Sequence, residues 1–349
     1  MRPHKEIKLE TIAKELGISV VSVSNALRGK SGVSPERRKT IVECAERLGF
    51  DLSSYKKAEE KQEESRASAA ANQNMLIGAI ISKRYISVGS SFYWEMYQKM
   101  AYAASLRNCF TTLEMVDDEG EIYVPRILLQ KEVDGVIIIG PMKENFLKFT
   151  LDNASCPVIL MDQQIAYGKY SSVLSGNYYG MYRSTYELVR AGHKNIAFVG
   201  DIEESRNTID RYYGFKKCMR ESGLKVRRDW IIPGRDRETG RPELNLPDEM
   251  PTAFACSSDF IAGILYTELQ KRGLRVPEDI SIAGYDDYLV GNPLSGHLTT
   301  YHVDMDAMAR CAIKLVIREC NDSSTAGVIY EMDSDVVIRD SIKRPENQI

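Results

Sequence analysis

The stretch VVSVSN, Val20 to Asn25, sets two valines and an asparagine on what reads as the outward side of a short helix, with lysines and arginines nearby on either side. Both residue types suit duplex DNA. An asparagine amide can hydrogen-bond both the N6 and N7 edge of adenine, and a valine can pack on the thymine methyl. The same residues turned inward would be an ordinary core fragment, so the elements that carry them decide between the two readings.

Helix signals in this region are clear. LETIAKELG places Leu9, Ile12, Ala13 and Leu16 at helical spacing, and Gly17 stops the helix. Ser19 is in place to cap a second helix that Gly29 ends, with Val23, Ala26 and Leu27 on its inner face. This leaves Val20, Val21, Ser22 and Asn25 facing outward. Ser34-Pro35 opens a third helix whose inner face is Ile41, Cys44, Ala45 and Leu48. Two short helices joined by a glycine turn and braced by a third make a helix-turn-helix.

Composition sets limits on the remainder. The 349 residues suffice for two or three domains, with 43% hydrophobic and 27% charged residues. No apolar run reaches the length of a membrane helix, and the first residues lack the apolar core of an export signal. The seven cysteines are odd in number, scattered and without a C-x-x-C, which fits free thiols in a reducing cytoplasm. Four well-separated histidines give no metal cluster, and no cofactor is expected. The net charge of −3 conceals an asymmetry: residues 1–57 carry 12 Lys/Arg against 7 Asp/Glu, leaving an acidic remainder. A basic head on an acidic body suits a head that meets phosphate.

After Phe50 the pattern changes. Residues 56–71, KKAEEKQEESRASAAA, contain no large apolar side chain and read as a linker. From residue 74 onward, apolar runs alternate with helical stretches: strands at 75–81, 110–116, 135–140, 157–162, 171–175, 195–200, 252–257 and 281–286, with helices such as 93–107, 178–191, 212–222 and 259–272 between them. Runs without in–out alternation belong in parallel sheets covered on both faces. There are too many for one sheet. The expectation is an α/β chain with a three-helix head (1–57), a linker (58–73) and a doubly wound body (74–349). The body divides into lobe 1 (about 74–174 plus 303–328) and lobe 2 (about 175–302 plus 329–345), with a ligand cleft between them at the strands' carboxyl ends.

The segment TIAKELGISVVSVSNALRGKSGVSPERRKTIVECAERLGF resembles the head of the LacI/GalR family of bacterial transcription regulators. The body agrees in strand–helix order and in AGHKNIAFVG, RYYGF, LRVPEDISIAGYDD and LTTYHVD. The resemblance implies a periplasmic-binding-protein type of body that binds a small metabolite, and a homodimer whose recognition helices enter successive major grooves of operator DNA. By it, Val20, Val21 and Asn25 read bases, while Ser22, Ser24, Ser34, Arg37 and Arg38 hold phosphates. Relatives commonly carry arginine where Asn25 stands, so half-sites richer in A·T at that step are expected. The chain departs from the family after the third helix. Leu52-Ser53 replaces a Pro-Asn turn, and Glu59 stands where relatives place a leucine that wedges into the minor groove. A carboxylate cannot unstack bases cheaply, so binding without the wedge, and with less bending, is expected.

In the body the resemblance carries ligand roles to Asp162, which ends PVILMD, to Arg211 before YYGF and to Asp286 in GYDD. Carboxylate and guanidinium together can fork onto the adjacent hydroxyls of a sugar. Phe92 would offer an apolar ring face, and Ser258 and Met305 would line the pocket at positions that are commonly asparagine and aromatic in relatives. Arg235 would suit an acidic or phosphorylated sugar. The helix 93–107 is apolar on more than one face, and Trp94 and Tyr97 fit a subunit contact. A protein co-repressor, or no ligand at all, is the competing form of control. A solute-binding receptor would need an export signal and no basic head. A nucleotide-dependent enzyme would need a G-x-G-x-x-G or phosphate-binding loop after a strand, and none is present.

Overall fold

The computed structural model describes residues 9–27, 35–48, 50, 74–86, 91–129, 132–203, 205–234 and 244–345. The chain divides into two compact units, Met1–Gln73 and Asn74–Ile349. The linker and the altered hinge around Glu59 lie outside the described residues.

The first unit contains α1 (Leu9–Leu16), α2 (Val20–Leu27) and α3 (Pro35–Leu48). Its core is small: Ile12, Ala13, Val23, Ala26, Ile41, Cys44 and Ala45, with Leu9, Leu16, Ile18 and Leu48 packed at the margin. Gly17 turns the chain between α1 and α2 with φ +61°, a conformation that a β-carbon would strain. Ser19 caps α2, its hydroxyl accepting from the Ser22 N–H at 3.1 Å.

The second unit holds two six-stranded sheets. Sheet 1 orders β11–β5–β4–β3–β1–β2, from β1 (Leu76–Ser82), β2 (Phe110–Val116), β3 (Gly135–Ile139), β4 (Val158–Met161), β5 (Ser171–Ser175) and β11 (Ile329–Met332), every pair parallel. Sheet 2 orders β12–β10–β9–β8–β6–β7, from β6 (Ile196–Val199), β7 (Ile231–Ile232), β8 (Ala253–Cys256), β9 (Ser281–Asp286), β10 (Thr299–His302) and β12 (Val336–Val337), with only β12 antiparallel. Covering helices are α4 (Phe92–Ser105), α5 (Arg126–Leu129), α6 (Glu144–Asp152), α7 (Asn177–Arg190), α8 (Arg206–Glu221), α9 (Asp259–Lys271) and α10 (Met305–Asn321).

Continuous apolar runs produce strands buried on both faces. In sheet 1, Ile137, Ile139, Ile159 and Met161 pack into the core that includes Met96 and Met100 of α4 and Ile313 and Val316 of α10. Val136, Ile138, Val158 and Leu160 pack the other way, onto Phe146, Leu147 and Leu151 of α6. The glycine of RYYGF has a packing role: a β-carbon on Gly214 would lie 2.0 Å from the Tyr178 carbonyl oxygen, so α7 and α8 approach this closely only with glycine there.

The chain crosses between the sheets after β5, after β10 and after β11. The last crossing differs from the expectation. Residues 329–332, assigned to lobe 2, are strand β11 and pair with β5 of sheet 1, Ile329 opposite Ser172 and Met332 opposite Ser175. Ser175 likewise ends a strand of sheet 1. As an edge strand β11 is largely exposed, so IYEM lacks the buried run that marks the inner strands. Helix α8 begins at Arg206, six residues before the expected start. Ser205 caps it, its hydroxyl accepting from the Thr208 N–H at 3.2 Å.

Candidate DNA-reading helix and effector cleft

In α2 the buried positions are Val23 and Ala26, both 0% exposed, while Val20 stands 37% exposed and Ser22 and Ser24 are half-buried. Val21 and Asn25 lie on the same helix, but their side chains lie outside the described residues, as do the side chain of Arg38 and all of Ser34. Arg37 is exposed on α3. The core thus claims one side of α2 and leaves the Val20 side open, as a reading helix requires.

In the second unit Asp162, Arg211 and Asp286 come together from different elements. Asp162 follows β4 with φ +58°, and Asp286 ends β9 with φ +107°. Among the described residues, non-glycine positive φ occurs at five positions, and three of them (Asp162, Asp286 and Asp287) are at these strand ends. Such strain persists where surrounding structure holds it, commonly at ligand sites. The Asp162 carboxylate accepts from the Tyr93 hydroxyl at 2.9 Å and from the Ser175 hydroxyl at 3.4 Å, and its carbonyl accepts from the Asn207 amide at 2.9 Å. Burial pushes the Asp162 carboxyl up, opposed by Arg211 and these hydrogen bonds.

Arg211 reaches the same place from α8. Its Nε donates to Asn177 Oδ1 at 2.7 Å and Nη1 to the Ser257 carbonyl at 2.8 Å, with the guanidinium 3.9 Å from the Tyr285 ring centre. Its Nη2 has no hydrogen bond among the described residues. Burial works against the charge, but Tyr285, Asp162 and Asp286 outweigh it, so the guanidinium stays cationic. The Tyr285 hydroxyl, in turn, donates to Ser175 at 3.0 Å, joining the end of sheet 2 to the end of sheet 1. Phe92, the first residue of α4, meets Tyr288 edge-on, ring centres 5.9 Å apart, and Tyr93 stands 5.2 Å from Phe92. Two carboxylates, a guanidinium and a set of aromatic rings at the carboxyl ends of two sheets can hold a polar ring by its hydroxyls and its faces.

Other expected ligand residues are placed differently. The Ser258 hydroxyl caps α9, accepting from the Ile261 N–H at 3.3 Å. Met305, first in α10, is half-buried against the core of sheet 1. Arg235 lies outside the described residues. Tyr93, Ser175, Asn177, Asn207, Asp259 and Tyr285 were not among the sequence-derived ligand residues. Their only sequence signal was position, since most stand at or next to a strand end or helix start. A cavity of about 700 Å³ opens away from the cleft, against edge strand β2, and is lined by residues including Leu113, Met115, Tyr123, Ile127 and Leu129. It includes none of the expected ligand residues.

Residues 185–342 match a periplasmic binding protein-like domain. Over 343 residues, 96% of this chain and 98% of the relative, the chain is 27% identical to the HTH-type transcriptional repressor PurR of Pasteurella multocida. These relatives are LacI-type regulators, which the chain resembles along its whole length. In fold, the chain is similar to the transcriptional regulator CelR in complex with cellobiose, with a TM-score of 0.64 at 19% identity, covering 97% of this chain and all of that one. It is likewise similar to the Lac repressor dimer bound to operator and the anti-inducer ONPF, with a TM-score of 0.61 at 19% identity and the same coverage. Both units are included in these matches. The chain is a DNA-binding transcriptional regulator and not an enzyme. Among its described residues no helix is long and apolar enough to cross a membrane.

Proposed function

We propose that this regulator acts in the cytoplasm as a homodimeric repressor that reads operator DNA through Val20, Val21 and Asn25 and is gated by a carbohydrate bound between lobes 1 and 2. The carrying observation is the convergence of Asp162, Arg211 and Asp286 on one cleft beside Phe92 and Tyr288. Each strand-end aspartate and the remaining guanidinium nitrogen can take a sugar hydroxyl, and the rings can take its apolar faces. The cellobiose in CelR and the operator duplex in the Lac repressor structure support the two ligand classes. Dimerisation is supported by apolar surface at the end of α4 and on β2, where Tyr102, Leu106, Phe110 and Met115 are all more than half exposed. One small head gains too few contacts for useful specificity, whereas two heads share one palindromic site. Ligand binding shifts the population of DNA-competent dimers by its differential affinity for the two states.

The test is a thermal-shift panel of neutral sugars, sugar acids and sugar phosphates on the full chain and on an Arg211→Lys variant. A sugar that raises the melting temperature of the wild type and fails with the variant supports the reading. A panel without any shift, or shifts that survive the substitution, overturns the carbohydrate assignment.

A further inference from the structure

Two carboxylates meet on the lobe 2 side of the cleft. Asp259, the first residue of α9, and Asp286, the last of β9, accept the same backbone N–H, that of Tyr288, at 3.1 and 3.0 Å. Two oxygens bound to one nitrogen lie no more than about 6 Å apart, a range in which buried like charges oppose each other's ionisation. Asp259 is 2% and Asp286 8% exposed. Among the described residues neither forms an ion pair. The nearby guanidinium goes to the next aspartate: Arg339 Nη2 lies 2.7 Å from the Asp287 carboxylate, which the His302 ring Nδ1 also approaches to 3.1 Å.

The remaining neighbours leave the pair's charge largely uncompensated. From β10, the Thr300 hydroxyl donates to Asp259 at 2.6 Å. From α8, Arg211 faces Asp286, but its Nε and Nη1 donate to Asn177 and Ser257, and it also serves Asp162 across the cleft. From β9 itself comes the Tyr285 ring, which carries the guanidinium, and just after it Asp287, which pairs with Arg339 and still opposes the Asp259 charge. One cation is therefore shared among three carboxylates of the cleft. Two bare anions side by side in this setting are costly, and one proton between them removes most of that cost. Burial raises both carboxyls; the Asp287 charge raises Asp259 and the Asp259 charge raises Asp286, with Arg211 opposing at Asp286.

We infer that Asp259 and Asp286 hold one proton between them at neutral pH and act as a single hydrogen-bonding unit, so that Asp286 can donate to an effector as well as accept from it. Asp259 is a positioning residue in this unit, acting on the cleft through Asp286. The inference deepens the proposed effector site. It predicts that the site accepts a ligand oxygen that only accepts hydrogen bonds, such as a carbonyl or ring oxygen, beside hydroxyls that do both.

The test follows aspartate carboxyl carbons by NMR in the full-length chain across pH. In the wild type, one carboxyl step falls between about pH 6 and about 8, the signature of a shared proton. Asp259→Asn abolishes that step, and Asp286→Asn moves it down by more than about one pH unit because the opposing charge is gone. If Asp259→Asn does not fold, the Asp286→Asn result decides alone. Two carboxyls titrating independently below about pH 5, or an Asp259 step indifferent to Asp286→Asn, overturn the inference. No effector enters the measurement, so its failure is distinguishable from failure of the carbohydrate reading in the thermal-shift panel.

Discussion

The head and the cleft set out functional chemistry in opposite ways. In the head, the core takes Val23 and Ala26 and leaves Val20 37% exposed, so the proposed reading side of α2 is not the side the core holds. In the cleft, Asp162, Arg211 and Asp286 are at most 8% exposed and hold one another's charges as well as a ligand's. Substitutions in the head should therefore change specificity at constant stability, while substitutions in the cleft should change both together.

The largest effect should come from Arg211→Ala. Removing the cation leaves buried carboxylates unopposed, and a loss of about 3–5 kcal/mol in urea unfolding is expected. A loss below about 1 kcal/mol would mean that the cleft charges do not depend on one another, and the contrast with the head would weaken.

The pH dependence sharpens the same contrast. Asp259, buried, is held up to about 7 against an ordinary 3.8. A carboxyl raised in the folded state binds its proton more tightly there than in the unfolded chain. Its contribution to stability is therefore complete below about pH 4 and is lost as pH rises to about 7. The difference in unfolding free energy between wild type and Asp259→Asn should change across that window by on the order of 1 kcal/mol per pH unit, and should be flat above it. A flat difference from pH 4 upward contradicts the assignment.

Asn25→Ala, in the head, should cost about 1–3 kcal/mol on duplexes carrying the preferred A·T pair and little on others, with the unfolding curve unchanged. Equal losses on every duplex would remove its reading role. The smallest expected effect is that of Tyr93→Phe, which takes one hydrogen bond from Asp162 and should cost about 1 kcal/mol in unfolding. It should also weaken any sugar found by the thermal-shift panel, which isothermal calorimetry can check.

The same contrast governs what the sequence disclosed. Helical spacing of Leu9, Ile12 and Leu16, the Ser19 cap and the Gly17 stop are local signals, and they place α1 and α2 within a residue or two. Inner strands such as β3 and β9 were legible for a related reason, since a run buried on both faces is apolar throughout. Edge strands β11 and β7 were not, because IYEM is exposed and II is only two residues long. In the cleft, Asp162, Arg211 and Asp286 could be named from their motifs. Their partners could not: Tyr93 meets Asp162 across 69 residues and Tyr285 meets Ser175 across 110, pairings that only the folded topology brings about. Ser258, a pocket candidate by resemblance, also caps α9 through its hydroxyl.

The measurement that tests the account most directly is the affinity of the full chain for a duplex selected from a random pool, titrated with the sugar that the thermal-shift panel identifies. A change of about 5- to 150-fold on saturation is expected, the range of a coupling of about 1–3 kcal/mol, and its loss in Arg211→Lys. An affinity that stays constant through saturation would contradict a metabolite-gated regulator.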